Sequence, residues 1–290
     1  MRLRYAVAPV VLSLLAAGCG CSTSPPPRTF DLSLKITGSP NATATQAVRD
    51  AERKLESFIT ADLPDVSGTS GLRCAGEALN TPSSIDDLFI AVKFVDEDGP
   101  GGVLASAGPC QVRGGSGLPA TGIVLVDRDD VPLLMGSGQL DETILHEMTH
   151  VMGLGTVWAD KGLVGNGGTS SSHFRGSKAK AQWQALGGSG SVPLENAGGS
   201  GTQDGHWRES SLGNELMTGY INAGSNPFSR ISVASLGDLG YSVDTSQADS
   251  YRLPSNKATA AAALDDHDDH DALVLGPATE VVLEPEGVIG

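Results

Sequence analysis

Two histidines and a glutamate are spaced for metal chemistry within one short segment. The segment from Thr143 to Gly153 contains His146, Glu147 and His150, which form the pattern HExxH. On an α-helix, residues four positions apart lie on the same face, so the two imidazoles can bind one metal ion. Such a pair suits Zn²⁺, and the adjacent carboxylate can act as a general base towards a zinc-activated water. The pattern therefore predicts a catalytic zinc site.

A third metal ligand must come from elsewhere in the chain, because a catalytic zinc is held by three protein side chains and a water. The longer pattern HExxHxxGxxH would place a histidine six residues after His150, but that position is Thr156. His206 is the best remaining candidate, eleven residues before Met217. The other histidines are His173, which we expect in a loop, and the pair His267 and His270 near the C-terminus.

The elements that must position these residues can be inferred from apolar periodicity. The metal-binding helix is predicted to begin near residues 137–140 and to end at Gly153, because glycine is favoured at helix ends. Its apolar residues form one flank that packs into a core. Strands are predicted at 30–36, 88–95 and 123–126, and helices at 48–59, 178–186 and 232–239. A strand followed by a long helix is typical of an α/β or α+β domain.

The charge of the chain excludes nucleic acid as a partner and is unevenly distributed. The 290 residues carry a formal net charge of −15, whereas nucleic-acid binding needs a basic surface. Residues 256–290 contain eight carboxylates and one lysine. Such a segment is expected to be a solvated, disordered tail.

The N-terminus has the features of a targeting segment. Arg2 and Arg4 precede an apolar run that is too short to span a bilayer. The sequence that follows, Ala16–Cys19, resembles the lipobox of bacterial lipoproteins. We therefore expect a signal peptide at 1–18 and lipidation of Cys19. A plain secretory signal is the alternative.

This leader predicts an exported protein, anchored by lipid to a bacterial membrane or cell surface on its periplasmic or extracellular side. Residues 19–28 would form a proline-stiffened tether. Outside the leader region, Cys74 and Cys110 are the only cysteines. In an exported domain two such thiols are expected to form a disulfide.

The residues around both histidine sites resemble the leishmanolysin family of metzincin endopeptidases. In that family HExxHxxG is followed by an insertion and then by a histidine shortly before an ELM segment. This chain has Leu145–Leu154 and then His206–Gly219 in the same order. The segments Asp98–Gly102 and Gly108–Cys110 also look like those of bacterial members. The resemblance covers roughly residues 28–255, and the acidic tail lies outside it.

The resemblance implies a zinc-dependent endopeptidase that hydrolyses peptide bonds in proteins or peptides, and we expect a monomer. It implies a metzincin-like α+β fold with a twisted mixed sheet. The active-site helix would belong to an N-terminal subdomain, residues 29–160, and a loop-rich C-terminal subdomain would span 161–255. The implied roles are ligands of one Zn²⁺ for His146, His150 and His206, base for Glu147, and methionine turn for Met217.

Two alternatives remain at the level of sequence. In another class of zinc peptidase a glutamate would be the third ligand, and Glu195, Glu209 and Glu215 are available. The chain could also be a surface lipoprotein that binds zinc without catalysis. The presence of Glu147 favours the enzyme, because a purely structural zinc site needs no general base.

Overall fold

A computed structural model describes residues 30–199, 201–254 and 280–290 of the chain. The expected signal peptide, the Cys19 lipidation site, the tether, His267 and His270 lie outside these described residues. Among the residues that are described, no helix is both long and apolar enough to cross a membrane.

In the described part of the first half of the chain, one strand and one long helix are followed by seven strands and two helices, and short elements dominate the second half. The helices are α1 (Ala42–Phe58), α2 (Val131–Ser137), α3 (Leu140–Val151), α4 (Ser177–Ala185), α5 (Glu209–Leu212) and α6 (Arg230–Leu239). The strands are β1 (Leu32–Thr37), β2 (Val66–Ser67), β3 (Arg73–Cys74), β4 (Glu77–Ala78), β5 (Ser84–Ile85), β6 (Leu88–Val95), β7 (Ala105–Arg113), β8 (Pro119–Asp127), β9 (Val164–Gly165), β10 (His173–Phe174), β11 (Val192–Pro193), β12 (Glu280–Val282) and β13 (Gly287–Ile289).

The central sheet has the strand order β1-β6-β8-β7, and β12 and β13 pair with the other edge of β7. The strands β1, β6 and β8 are parallel to one another, and β7 is antiparallel to β8. Both C-terminal strands run parallel to β7. The sheet is therefore mixed, and together with the helices it fits the predicted α+β class.

The main core lies between the sheet and the helices α1 and α3. The central strands β6 and β8 are buried on both faces, which explains why their sequences are nearly continuous apolar runs. The core cluster extends along the chain from Phe30 to Tyr241. It therefore includes residues of both predicted subdomains, 29–160 and 161–255.

The predicted helices have the end residues that their sequences favour. The side chain of Asn41 accepts a hydrogen bond from the Ala44 amide at 2.8 Å and so caps α1. Ser229 caps α6 in the same way, and Gly240 follows that helix with a φ of 125°. The predicted start of the metal-binding helix, residues 137–140, contains the turn between α2 and α3. Gly138 makes this turn in the left-handed conformation, with a φ of 73°.

The expectation of a disordered tail at 256–290 is wrong for its last eleven residues. Residues 280–290 contain β12 and β13, while 255–279 lie outside the described residues. The reason is that the acidic residues are concentrated before this segment, whereas Val281, Val282, Val288 and Ile289 are β-branched. Such residues pair readily with the open edge of a sheet.

The predicted disulfide is confirmed, since Cys74 and Cys110 are bonded to each other. The bond ties the β3–β4 hairpin to β7, and both sulfurs lie in the smaller core on the second face of the sheet. It closes a loop with a sequence separation of 36. A cross-link of this length restricts the unfolded chain.

We predict that replacing both Cys74 and Cys110 by serine lowers the free energy of unfolding by roughly 3–4 kcal/mol, the value expected for closing such a loop. Guanidinium unfolding of the oxidised wild type, the reduced wild type and the double variant measures this. The last two should agree. An unchanged unfolding midpoint in both would contradict the prediction.

Candidate metal centre

The structure brings His146, His150 and His206 together at one buried point. The Nε2 atoms of His146 and His150 are 2.9 Å apart, and those of His150 and His206 are 3.0 Å apart. The third side of the triangle, between His146 and His206, is 3.2 Å. All three side chains are at most 2% exposed. Among the described residues, these three form one of the groups whose spacing could hold a metal ion.

The backbone fixes the orientation of each imidazole ring through its second nitrogen. His146 donates from Nδ1 to the Leu216 carbonyl at 2.7 Å, and His150 donates to the Leu154 carbonyl at 2.8 Å. His206 donates to the Thr202 carbonyl at 3.1 Å. A neutral imidazole carries one proton, so donation from Nδ1 leaves a lone pair on Nε2. Each ring therefore presents its metal-binding nitrogen to the common point.

This donor set fits zinc. Three imidazole nitrogens are a common ligand set of catalytic zinc, which binds histidine at about 2.0–2.1 Å and leaves a fourth position for water. In a tetrahedron of that size, two ligand nitrogens are about 3.3 Å apart, close to the observed triangle. Three lone pairs directed at one buried point would repel one another, and a cation at that point removes the repulsion.

The helix α3 supplies two of the ligands and ends immediately after them. His146 and His150 lie one turn apart, while Ile144, Met148 and Val151 on another face are buried against the sheet. Thr156 occupies the position where the longer pattern has a third histidine. Its hydroxyl donates to the His150 carbonyl at 2.8 Å, so it stabilises the end of the helix instead.

A short loop brings His206 to the helix from fifty-six residues further along the chain. The His206 carbonyl accepts from the Glu195 amide at 2.9 Å, and the next residue, Trp207, donates from its amide to the Met217 carbonyl at 2.9 Å. The loop also passes close to the end of α3. A Cβ atom at Gly155, where φ is +82°, would lie 2.1 Å from the Gly205 carbonyl oxygen. Only glycine allows this approach.

The segment around Met217 forms a tight buried turn next to the ligands. Met217 is fully buried, and the carbonyl of the preceding residue, Leu216, orients His146. Glu215 holds the turn, because its carboxylate accepts from the Met217 amide at 2.7 Å. The same carboxylate accepts from the hydroxyls of Ser229 and Ser232 at 2.7 and 2.5 Å, which ties the turn to the start of α6.

The three glutamates that were alternatives for the third ligand bond to other groups. Glu195 accepts from the amides of Asn196, Ala197 and Glu209, and Glu215 holds the Met217 turn. Glu209 accepts from the Asn222 side chain at 3.0 Å. None of them belongs to the metal-binding group found among the described residues.

Glu147 lies on the predicted helix, whereas the expectation that His173 lies in a loop is wrong, because His173 pairs within a short strand. Glu147 is 2% exposed and follows His146 on α3. His173 lies in β10, outside the three-histidine group, and its Nδ1 is 3.0 Å from the Ser171 carbonyl oxygen. The pKa of Tyr220 is raised by burial and by Glu195 and Glu209, so its phenol stays protonated at neutral pH.

Sequence patterns did not reveal the part played by Glu215 or by the three carbonyl groups that orient the rings. The sequence around Glu215 does not indicate that its carboxylate is buried. Every residue has a backbone carbonyl, so the sequence does not show which carbonyl groups orient the rings. A second acidic group, formed by Asp62, Asp86 and Asp87, was also missed. Asp87 accepts there from the amides of Asp31 and Leu63, which is a structural role.

Comparison with known proteins places this site in a recognised sequence pattern. The family profile described as leishmanolysin, of the M8 peptidases, matches residues 75–262. The match covers more than half of the chain and contains all three histidines and Met217. Among curated proteins, no match to the chain is found.

We predict that His206→Ala lowers the zinc affinity by more than about a hundredfold, which exceeds the loss caused by altering a hydrogen-bond partner of a ligand. Zinc bound per protein after dialysis against a buffered zinc solution measures this. Glu209→Gln serves as the matched control and should keep its zinc. If His206→Ala retains full zinc and Glu209→Gln loses it, the glutamate alternative is right.

A pH dependence of stability follows from Glu209. Burial, with Glu195 and Glu215 nearby, raises the pKa of Glu209 to about 7. The folded protein therefore binds this proton more tightly than the unfolded chain, and stability falls as pH rises from about 4.5 to 7. We predict that Glu209→Gln is about 2–3 kcal/mol less sensitive to pH over that window. Parallel unfolding curves of both proteins in excess zinc at pH 5 and pH 8 test this, and identical pH dependences would contradict it.

Proposed function

This chain belongs to the leishmanolysin family of metallopeptidases, and from that premise we propose that it is a zinc-dependent endopeptidase acting on proteins or peptides. The observation that supports the proposal is the triangle of Nε2 atoms, with each ring oriented by a carbonyl on its other nitrogen. A site that binds zinc through three neutral histidines leaves room for water and substrate.

His146, His150 and His206 would hold the metal. When bound there, zinc would supply a Lewis acid for the scissile carbonyl group and lower the pKa of a water molecule. The Nδ1 atoms of the three rings donate to the carbonyls of Leu216, Leu154 and Thr202, so Nε2 is the nitrogen that each ring would offer to the metal. The same three hydrogen bonds keep the rings from rotating, so the ligands are already oriented before substrate arrives.

Glu147 would act as the general base. It takes the proton of the attacking water on its carboxylate and then delivers that proton to the nitrogen of the leaving amine. Two observations support this role: Glu147 follows His146 on α3, and it does not belong to the three-histidine group. The buried surroundings of this side chain limit the exchange of the proton with bulk water.

The turn at Met217 supports the finer assignment to the metzincins. Met217 is buried next to Leu216, whose carbonyl orients His146, and the Glu215 carboxylate accepts from the Met217 amide. In this mechanism Met217 would neither bind the metal nor transfer a proton. It would act by filling the space beneath the site, where its flexible side chain fits irregular gaps.

Export and lipid anchoring complete the proposal and rest on the leader sequence alone. A signal peptide at 1–18 and a lipidated Cys19 would place the peptidase on the outer side of a bacterial membrane. The Cys74–Cys110 disulfide agrees with an oxidising compartment. We further propose that the enzyme is a monomer. Metabolic labelling with a fatty acid, compared between wild type and Cys19→Ala, tests the anchor.

We predict that Glu147→Gln keeps about one zinc per protein and loses nearly all proteolysis, a fall in kcat of about a thousandfold or more. The amide has the size of the carboxylate but cannot accept the proton. Zinc content and the rate of cleavage of fluorescent casein measure the two properties.

The matched control is Asp141→Asn, which removes an exposed carboxylate from the same helix and should leave both properties unchanged. A chelator should abolish cleavage by the wild type. Full activity of Glu147→Gln would reject Glu147 as the base. Zinc binding without chelator-sensitive cleavage by the wild type would favour a non-catalytic protein.

A further inference from the structure

The C-terminal segment, residues 280–290, lies along the outer edge of β7. The Leu283 amide donates to the Ala107 carbonyl at 2.8 Å, and the Glu286 amide donates to the Cys110 carbonyl at 2.9 Å. Among the described residues, nothing else pairs with this edge of β7. An edge strand that lacks a partner exposes a row of amide and carbonyl groups and readily accepts an extended polypeptide.

This edge is on the side of α3 that carries Glu147. Successive residues of a helix are rotated by about 100°, so Leu145 and Glu147 project from opposite flanks of α3. Leu145 shares a groove with Ala47 and Ala51 of α1. The sheet lies under a third face, which includes Val151. The flank of α3 that carries Glu147 therefore faces the side of the sheet on which β7 lies.

The C-terminal segment also passes at the level of the metal ligands. A Cβ atom on Gly122 of β8 would lie 2.1 Å from the Val151 side chain and 2.8 Å from the Gly108 carbonyl oxygen of β7. A Cβ atom on Gly108 would in turn lie 2.0 Å from the Leu283 carbonyl oxygen. Val151, Gly122, Gly108 and Leu283 therefore lie in a row from α3 across β8 and β7 to the C-terminal segment. Val151 directly follows the metal ligand His150 in the chain. Leu283 thus lies about two strand spacings, or about 10 Å, across the sheet from β8.

Few side-chain contacts attach this segment to the rest of the protein. Leu283 and Ile289 pack against the smaller core, whereas Val281 and Val288 are exposed by 41% and 69%. A side-chain hydrogen bond adds to the strand pairing and this packing: the Glu286 carboxylate accepts from the Ala75 amide at 2.6 Å, beside the disulfide. A segment held in this way can be displaced by another extended chain.

We propose that residues 280–290 are a built-in competitor of substrate, because they occupy the outer edge of β7, with which an extended polypeptide would pair. This inference rests on the proposed peptidase function. A substrate that pairs with β7 beside Glu147 must first replace the C-terminal segment. The segment therefore restricts access to the site until a peptide that pairs better, or cleavage of the chain before Glu280, removes it.

The test weakens the segment in the full-length protein. Leu283→Pro removes the amide that donates to Ala107, while Val282→Pro is the matched control. Because neighbouring amides along a strand point to opposite sides, the Val282 amide points away from β7, where proline is tolerated. We expect Leu283→Pro to raise kcat/KM for fluorescent casein about tenfold, mainly by lowering KM, since one lost hydrogen bond and a distorted strand change an equilibrium by about that factor. Val282→Pro should stay within about twofold of the wild type.

A second pair of variants covers the case in which Leu283→Pro does not fold. Glu286→Ala removes the acceptor of the Ala75 amide and should raise kcat/KM about threefold, whereas Glu284→Ala, from the same segment, should not raise it. Thermal unfolding and zinc content verify the integrity of each protein. Equal rates for the wild type, Leu283→Pro and Glu286→Ala would overturn the proposal.

Binding distinguishes this proposal from the peptidase assignment. A dye-labelled peptide with the sequence of residues 280–290 is titrated into Glu147→Gln and into Glu147→Gln combined with Leu283→Pro. We expect fluorescence anisotropy to show about tenfold tighter binding to the double variant. If no variant cleaves casein but the peptide binds in this way, the peptidase function fails and the competition by residues 280–290 stands. If casein is cleaved and the peptide binds neither protein, the competition by residues 280–290 fails.

Discussion

Three imidazole nitrogens must be held within about 3 Å of one another in a buried place, and the rest of the structure follows from that constraint. Such an arrangement is unfavourable unless a cation is bound, because the lone pairs repel and the rings are removed from water. The fold has to keep the rings in place without help from the metal. It does so with three hydrogen bonds to backbone carbonyls, which come from three different segments of the chain.

Each of those segments is itself held by groups that take no part in the chemistry. The Leu216 carbonyl is fixed by the turn that Glu215 organises, and Glu215 reaches α6 through two serines. Burial raises the pKa of Glu215 because it disfavours the charged carboxylate. The hydrogen bonds from the serines and the Met217 amide act in the opposite direction and stabilise that charge. Ser232 also accepts from the indole of Trp207, the residue after His206. A single buried carboxylate thus connects the supports of His146 and His206.

The sequence predicts the parts of this arrangement that depend on local spacing. His146, Glu147 and His150 follow from one helical turn, and Leu88–Val95 is a strand because all its residues but Lys93 are apolar and most are β-branched or aromatic. His206 could be proposed only by elimination and by a family resemblance, because no local period relates residues fifty-six positions apart. The ring orientations could not be predicted, since their acceptors are carbonyl groups that every residue has.

The sheet edge shows why the tail could not be predicted correctly. Strand β7 contains Gly108 and Pro109 and has a bulge there, so its sequence lacks the continuous pattern of β6 and β8. Because β7 is not predicted from the sequence, no sheet edge is available to which residues 280–290 could be assigned. These residues are then interpreted together with the acidic residues before them, as a disordered tail. The irregularity of β7 also has a consequence for the site. A proline cannot donate to a partner strand, and Gly108 allows a close approach, so this edge accepts an extended chain through few bonds. A surface of that kind favours exchange of one bound strand for another, which is what displacement of residues 280–290 by a substrate would require.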